Sequence, residues 1–380
     1  MSLSLRDGLR ARGHRADLFT STARPLAALP ILSDHTCYGS TGRPHHVLQA
    51  LNPLAPRALR RVIRRFKPDV VHLRMFMTQL SPLILPELRG VPTVFHVVNY
   101  NVLCPLNTKR LPDGTPCTDR PGAACGRNGC LGPLGLLRTR VQFSLWHRHR
   151  DAIDRVVANS HWTAARLEAE DVPVDRVIHN GVPLRAARPP LSADAPPRVG
   201  YAGRLIDKKG VDTLIRAFAA AKIDVPAAEL VLCGDGPARA ELEALTRTLG
   251  IADAVRFTGH LSRPELEEAL AGCWVQVAPS RWEEPFGLVA AEAAVRGTAA
   301  LVSRRGGLAE QVLPGETGET FANEDIEELA GHLRALLADR ERCEALGAAA
   351  RRHALNHFLE RHNLDAFLGV YAELLEARGR

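Results

Sequence analysis

The chain has 380 residues, of which 46% are hydrophobic and 24% charged. Such a chain buries large cores, which excludes a disordered, collagen-like or small disulfide-stapled protein, and at about 150 residues per domain it predicts two domains. Residues 1–190 carry 27 Lys+Arg against 13 Asp+Glu, a net +14, and the remainder carries 22 against 29, a net −7. The basic first half points to an anionic partner: a phosphorylated substrate, a membrane surface or nucleic acid.

The opening Met1-Ser-Leu-Ser-Leu-Arg6 lacks the apolar segment of a signal peptide. No apolar run approaches the roughly 18 residues of a membrane span, and the dense stretch Leu80–Leu88 is broken by proline. A cytoplasmic location is expected, where the eight cysteines are not expected to form structural disulfides.

In chain order, strands are predicted at Asp69–Leu73, Thr93–Val98, Arg155–Ala158, Arg198–Tyr201, Glu229–Cys233, Ala254–Thr258, Trp274–Ala278 and Ala299–Ser303. Amphipathic helices are predicted between them at Pro56–Phe66, Val211–Ala221, Ala238–Leu249 and Arg263–Ala271. This alternation predicts an α/β protein whose parallel sheets are covered on both faces by helices. Five prolines between Pro183 and Arg198 separate two such series, and the charge changes sign there. The expected domains are residues 1–187 and 198–362, with a final helix over 363–380 crossing back to the first. Ligands are expected beyond the carboxyl ends of the strands, in a cleft between two doubly wound domains.

Two segments carry chemistry. In Val199–Gly210 a strand ends at Gly203, and a turn presents Arg204 and Lys209 before a helix starting near Val211. Fixed cations beside a helix N-terminus suit a phosphate or diphosphate, although solvated turn charges would read the same way. In Ala278–Gly297 a strand gives way to a loop and then to a helix from about Phe286 to Arg296. Glu284 lies before its first turn and Glu292 eight residues later. The amides of Phe286, Gly287 and Leu288 would point out of that helix start, and the glutamates could accept from sugar hydroxyls. Taken alone, two such glutamates are more often solvated caps.

Together the segments resemble the retaining nucleotide-sugar glycosyltransferases of family 4. Gly203-Arg204-Leu205 with Lys209-Gly210 is similar to the family's diphosphate-binding turn, and Glu284 to Glu292 to its paired-glutamate signature. Lys67–Leu73, Ile178–Val182, Cys233–Pro237, Arg256–Leu261, Gly306–Glu310 and Gly315–Gly318 also follow in family order. The resemblance implies the GT-B fold, two Rossmann-like doubly wound domains facing across a cleft. It implies that Arg204 and Lys209 bind the donor diphosphate and stabilise the leaving nucleotide. Glu284 would contact the donor sugar, the amides at Phe286, Gly287 and Leu288 would hold sugar and phosphate, and Glu292 would take the ribose hydroxyls. His96, on the strand Thr93–Val98, is similar to a first-domain histidine facing the reaction centre; a packed histidine at a strand end is the competing reading. The resemblance implies a nucleotide-diphosphate sugar as donor and no further cofactor, and the chain holds no Asp-x-Asp metal motif. The Gly234-Asp-Gly236 loop is given a structural role.

Three departures from the family stand out. Leu5–Gly13 reads as the end of the family's first helix and Arg15–Thr20 as its second strand, so the first strand and its glycine-rich loop are expected to be absent, with weak stability or activity. Cys104, Cys117, Cys125 and Cys130 lie within 27 residues but lack a Cys-x-x-Cys knuckle, which leaves zinc, free thiols and a redox-dependent bridge open. Asn99-Tyr100-Asn101 follows His96-Val-Val where many members place an acidic residue after the histidine. That leaves the acceptor-side acid–base groups unassigned.

Pro56–Lys67 carries six cations opposite Leu59, Val62, Ile63 and Phe66, and Arg138–Arg150 is a second cationic stretch. Solvated helices packed on a sheet are the preferred reading, with peripheral docking on anionic lipid as the rival. Nucleic-acid binding is not expected, because no basic-aromatic recognition module is visible. The leading expectation is a retaining glycosyltransferase whose acceptor is unidentified, an anionic or lipid-linked one being an option. A sugar-nucleotide epimerase of the same fold and a degenerate sugar-nucleotide-binding protein without turnover are the alternatives.

Overall fold

The structure, a computed structural model, describes residues 2–24, 30–42 and 45–379. Met1 and Arg380, the outer ends of the expected domains, lie outside the described residues. The chain divides into two compact units: residues 1–181 with 360–380, and residues 182–359.

Unit 1 holds six parallel strands in two sheets. β1 (Phe19–Ser21) pairs with β2 (His35–Cys37), while β3 (Val71–Leu73), β4 (Thr93–Val97), β5 (Arg155–Ala158) and β6 (Arg176–Val177) form a separate sheet in that order. Its helices are α1 (Ser2–Ala11), α2 (His45–Ala50), α3 (Leu54–Phe66), α4 (Ala123–Arg127), α5 (Pro133–His149) and α6 (His161–Glu168), joined by α13 (Glu360–Glu376). Every residue of β4 is buried. Phe95 packs with Phe76 and Trp146 on one face, and Val94 joins Val157, Ile178 and Phe367 on the other. Helices therefore cover both faces of this sheet, as its continuous apolar runs require.

Unit 2 is a six-stranded parallel sheet of β7 (Arg198–Ala202), β8 (Glu229–Cys233), β9 (Val255–Gly259), β10 (Val275–Ala278), β11 (Ala299–Ser303) and β12 (Gly318–Phe321). It is wrapped by α7 (Val211–Lys222), α8 (Arg239–Thr248), α9 (Arg263–Ala271), α10 (Leu288–Arg296), α11 (Ile326–Ala338) and α12 (Arg340–His357). Side chains set several helix starts: Ser262 and Glu265 form a capping box on α9, and Asp325 and Asp339 accept from the first-turn amides of α11 and α12. The core runs through Leu214, Phe218, Leu230, Leu232, Val275, Val277 and Leu301, all fully buried. Truncating one of these leucines to alanine costs about 2–5 kcal/mol.

The predicted strand–helix series is observed, with two differences. β1 overlaps only the end of the strand read at Arg15–Thr20, and β2, β6 and β12 are short, largely polar strands that were not predicted. The helix predicted from Phe286 starts at Leu288, because Gly287 adopts φ 82 and acts as its N-cap. Among the described residues no helix is long and apolar enough to cross a membrane.

Candidate active site

The strand order of unit 2 places its site. The sheet runs β12-β11-β10-β7-β8-β9, so the chain winds outward from β7 in one direction and from β10 in the other. This is the doubly wound order with its topological switch point between β7 and β10. The loops leaving those two strands diverge at their carboxyl ends and open a crevice there. The loop after β7 carries Arg204, Lys208 and Lys209, and the loop after β10 carries Ser280 to Gly287. Gly234 keeps the neighbouring β8 turn in place: it has φ 145, and a Cβ there would stand 1.9 Å from the carbonyl oxygen of Gly203.

Across the crevice, Lys209 Nζ donates to Glu284 Oε1 at 2.7 Å. Glu284 is 6% exposed, and Ser280 Oγ donates to the same oxygen. Oε2 has no hydrogen-bond partner among the described residues and lies beside Gly287, whose added Cβ would stand 3.3 Å from it. One carboxylate oxygen is thus held by the protein while the other faces the start of α10, whose first-turn amides lack intrahelical acceptors. Lys208 packs over the Trp282 ring at 4.0 Å. Burial, and then the charges of Lys209 and Arg204, push its ammonium pKa down. That mutual repulsion marks a concentrated positive field, which an anion would relieve. Arg204 is exposed, and its side chain makes no hydrogen bond or ion pair among the described residues.

A second layer fixes this geometry. Gly306 pairs with Glu284, and the Gly307 amide donates to the Glu284 carbonyl at 2.8 Å. Gln311 accepts from the Ala291 amide at 2.9 Å and donates to the carbonyls of Phe286 and Gly287, clamping the entry to α10. Arg281 ties the two loops together through ion pairs with Asp207, Asp212 and Glu324. Sequence reasoning missed Ser280, Arg281 and Gln311, whose only signal was proximity to the glutamate and double-glycine segments.

Other expected residues sit elsewhere. Glu292, in the second turn of α10, pairs with Arg263 at 2.8 Å. The Phe286 side chain is buried in a cluster with Ala291, Val295 and Phe358 rather than facing the crevice. His96 does not stand at an open strand end. It is 1% exposed, its ring lies 4.7 Å from Phe367 of α13 and 5.4 Å from His72, and neither ring nitrogen has a partner. Burial, then the charge of Arg74, holds its pKa well below the ordinary value. The helix that closes unit 1 turns an expected reaction-centre histidine into a core side chain within that unit. Cys104, Cys117, Cys125 and Cys130 are free thiols in the segment after β4.

The two-unit, parallel-sheet architecture with a phosphate-type crevice at a switch point defines a GT-B protein. Its similarity to sucrose-phosphate synthase from Thermosynechococcus elongatus supports that fold: TM-score 0.73 at 23% identity, over 98% of this chain and 92% of that one. Residues 2–181 match the family described as glycosyl transferase 4-like domain, and residues 185–353 match glycosyl transferases group 1. D-inositol 3-phosphate glycosyltransferase 1 of Catenulispora acidiphila is 30% identical over 400 residues, covering 97% of this chain and 88% of that relative. A glycogen synthase of Mycobacterium tuberculosis is 38% identical over 301 residues, covering 78% of this chain and 66% of that relative. The chain belongs to the GT-B glycosyltransferases.

Proposed function

We propose that the chain is a retaining glycosyltransferase that takes a sugar from a nucleoside diphosphate donor and passes it to a phosphorylated acceptor. The observation that carries this reading is the Lys209–Glu284 contact at the switch point, which leaves Glu284 Oε2 free, with the unpaired Arg204 on the same loop as Lys209. Arg204 and Lys209 hold the donor diphosphate and stabilise the negative charge that grows on it as the glycosidic bond breaks. Glu284 Oε2 accepts from donor-sugar hydroxyls, and the amides of Gly287 and Leu288 face the same ligand. Glu292 takes the ribose hydroxyls while sharing its carboxylate with Arg263. In a retaining transfer the acceptor oxygen bonds to the anomeric carbon on the face that the diphosphate leaves. The bond from that carbon to the phosphate oxygen breaks, and a diphosphate oxygen takes the acceptor's proton. A phosphorylated acceptor fits the basic first half of the chain and the printed name of the inositol-phosphate relative.

The test is transfer from UDP-glucose, GDP-mannose or ADP-glucose to an inositol phosphate, with the product's anomeric configuration read by proton NMR. A retained configuration is expected. Lys209→Ala and Glu284→Gln should each lower turnover about 100-fold or more in protein whose circular dichroism shows it still folded at the assay temperature. An inverted product defeats the stereochemical reading, and wild-type turnover in either variant removes that residue from the machinery. Donor epimerisation without transfer would favour the epimerase reading.

A further inference from the structure

The segment between β4 and α5 has almost no regular structure, only the five-residue α4 and an isolated bridge between Arg110 and Pro116. Structureless stretches of this length inside a compact domain are uncommon and need something to hold them. Its four cysteines, all free thiols, line one small cavity together with Lys109 and Asp119. Cys130 lies within electrostatic reach of Cys125, Cys117 and Cys104. The cavity is about 20 Å³, room for a single water-sized occupant rather than a multi-metal cluster.

We propose that Cys104, Cys117, Cys125 and Cys130 bind one zinc ion in a tetrathiolate site that pins the segment after β4. Thiolates select a soft or borderline ion over magnesium or calcium, and four of them complete a closed structural zinc site. Cys125 and Cys130 are separated by four residues and bracket a turn at Gly129 with φ 70, within the spacing structural zinc sites use. Binding deprotonates all four thiols, so one zinc ion displaces four protons and leaves a site of charge −2. Residues 104–130 supply the counter-charge. Lys109, Arg110, Arg120 and Arg127 against Asp113 and Asp119 give four minus two, or +2. Lys109 also anchors the segment from below, donating to the Asp119 carbonyl at 2.9 Å and to Glu170 Oε1 at 2.5 Å. No three His, Cys, Asp or Glu side chains among the described residues stand at ligating geometry. The ion therefore has to draw the sulfurs inward, and the irregular, glycine-rich backbone permits that movement.

The full chain, purified from zinc-supplemented medium without chelator, is analysed by inductively coupled plasma mass spectrometry alongside thiol titration. About one zinc per chain is expected, with these thiols slow to react until the metal is displaced. Cys125→Ser and Cys130→Ser should bring zinc to background while nucleotide binding to unit 2 stays unchanged, so this outcome is independent of the donor-site reading. If those variants do not fold, an organomercurial titration of the native chain should release zinc in step with mercaptide formation. Background zinc with freely titrating thiols overturns the proposal, as does a mass showing these cysteines paired in disulfides.

Discussion

Two buried histidines should make unit 1 acid-labile. The His72 Nε2 is shut away from solvent, and burial lowers the ring's pKa from 6.5 to about 3. Its Nδ1 meets the Tyr371 hydroxyl at 2.6 Å, while Nε2 has no partner. Below pH 6.5 the unfolded chain takes up a proton that the folded state refuses, so the unfolded state binds more protons and stability falls as pH falls. The full stability is present above the unfolded pKa and declines down to the folded one. At about pH 5 the gap spans about 1.5 pH units, or about 2 kcal/mol from His72 alone, equivalent to about a 30-fold larger opening constant. His96 adds a loss of the same sign, because its pKa is also depressed by burial.

Hydrogen exchange followed by mass spectrometry on peptides covering β4 and β5 reads this directly, once rates are corrected for intrinsic exchange. The opening constant should rise by at least about 30-fold from about pH 7.5 to about pH 5. In His96→Leu the rise should be smaller and transfer should persist within a few-fold, since the ring packs on Phe367 and His72 and is 1% exposed. An opening constant that is flat across this window would refute the buried-neutral assignment. Loss of turnover in a folded His96→Leu would return His96 to the reaction centre.

Two further outcomes follow from packing. Gly306 has φ 69, and a Cβ there would stand 2.5 Å from the amide nitrogen and carbonyl oxygen of Glu284. Gly306→Ala should strain the backbone by about 1–3 kcal/mol and, by displacing Glu284 about 1 Å, cut turnover about 100-fold, with exchange in unit 1 unchanged; wild-type turnover would contradict it. Lys109→Met should destabilise unit 1 by about 3 kcal/mol, because it leaves Glu170, with a side chain 9% exposed, unpaired. A Lys109→Met/Glu170→Gln double variant should recover most of that loss in urea melts, and additive losses would refute the coupling.

Unit 2 was legible because each core strand is a short apolar run between a turn and an amphipathic helix. Glu229–Cys233 and Ala299–Ser303 match their sequence readings residue for residue. β1 was read only in part, from Arg15–Thr20, and β2, β6 and β12 were not legible, since His35–Cys37, Arg176–Val177 and Gly318–Phe321 are too short and polar to show an apolar run. Lys209 and Glu284 could each be named from their segments, but their contact spans 75 positions and arises from β7 lying beside β10. Gln311 was invisible because an uncharged polar side chain has no local signature; its role exists only once the loop carbonyls of Phe286 and Gly287 are near. The burial of His96 was not legible for a complementary reason. Its strand position was read well, but the helix burying it comes from the far end of the chain.

The charge division also separates into local causes. Unit 2 belongs to the acidic part of the chain, yet its crevice is positive because the loop carboxylates are already engaged. Asp207 and Asp212 neutralise Arg281 behind the loops, and Glu284 is shared between Lys209 and Ser280. With Arg281 neutralised, Arg204, Lys208 and Lys209 against Glu283 and Glu284 leave three minus two, or +1, at the switch point, the sign a diphosphate needs. In unit 1 the surplus lies instead on the exposed face of α3. Arg60 pairs with Glu87, whereas Arg57, Arg61, Arg64, Arg65 and Lys67 have no ion pair among the described residues. Such exposed charges are screened within about 8 Å at physiological salt, so they attract and orient an anionic partner more than they fix one. On the proposed reading, net charge would act in the acceptor's encounter with unit 1, and the local cations Arg204, Lys208 and Lys209 in the donor's capture in unit 2.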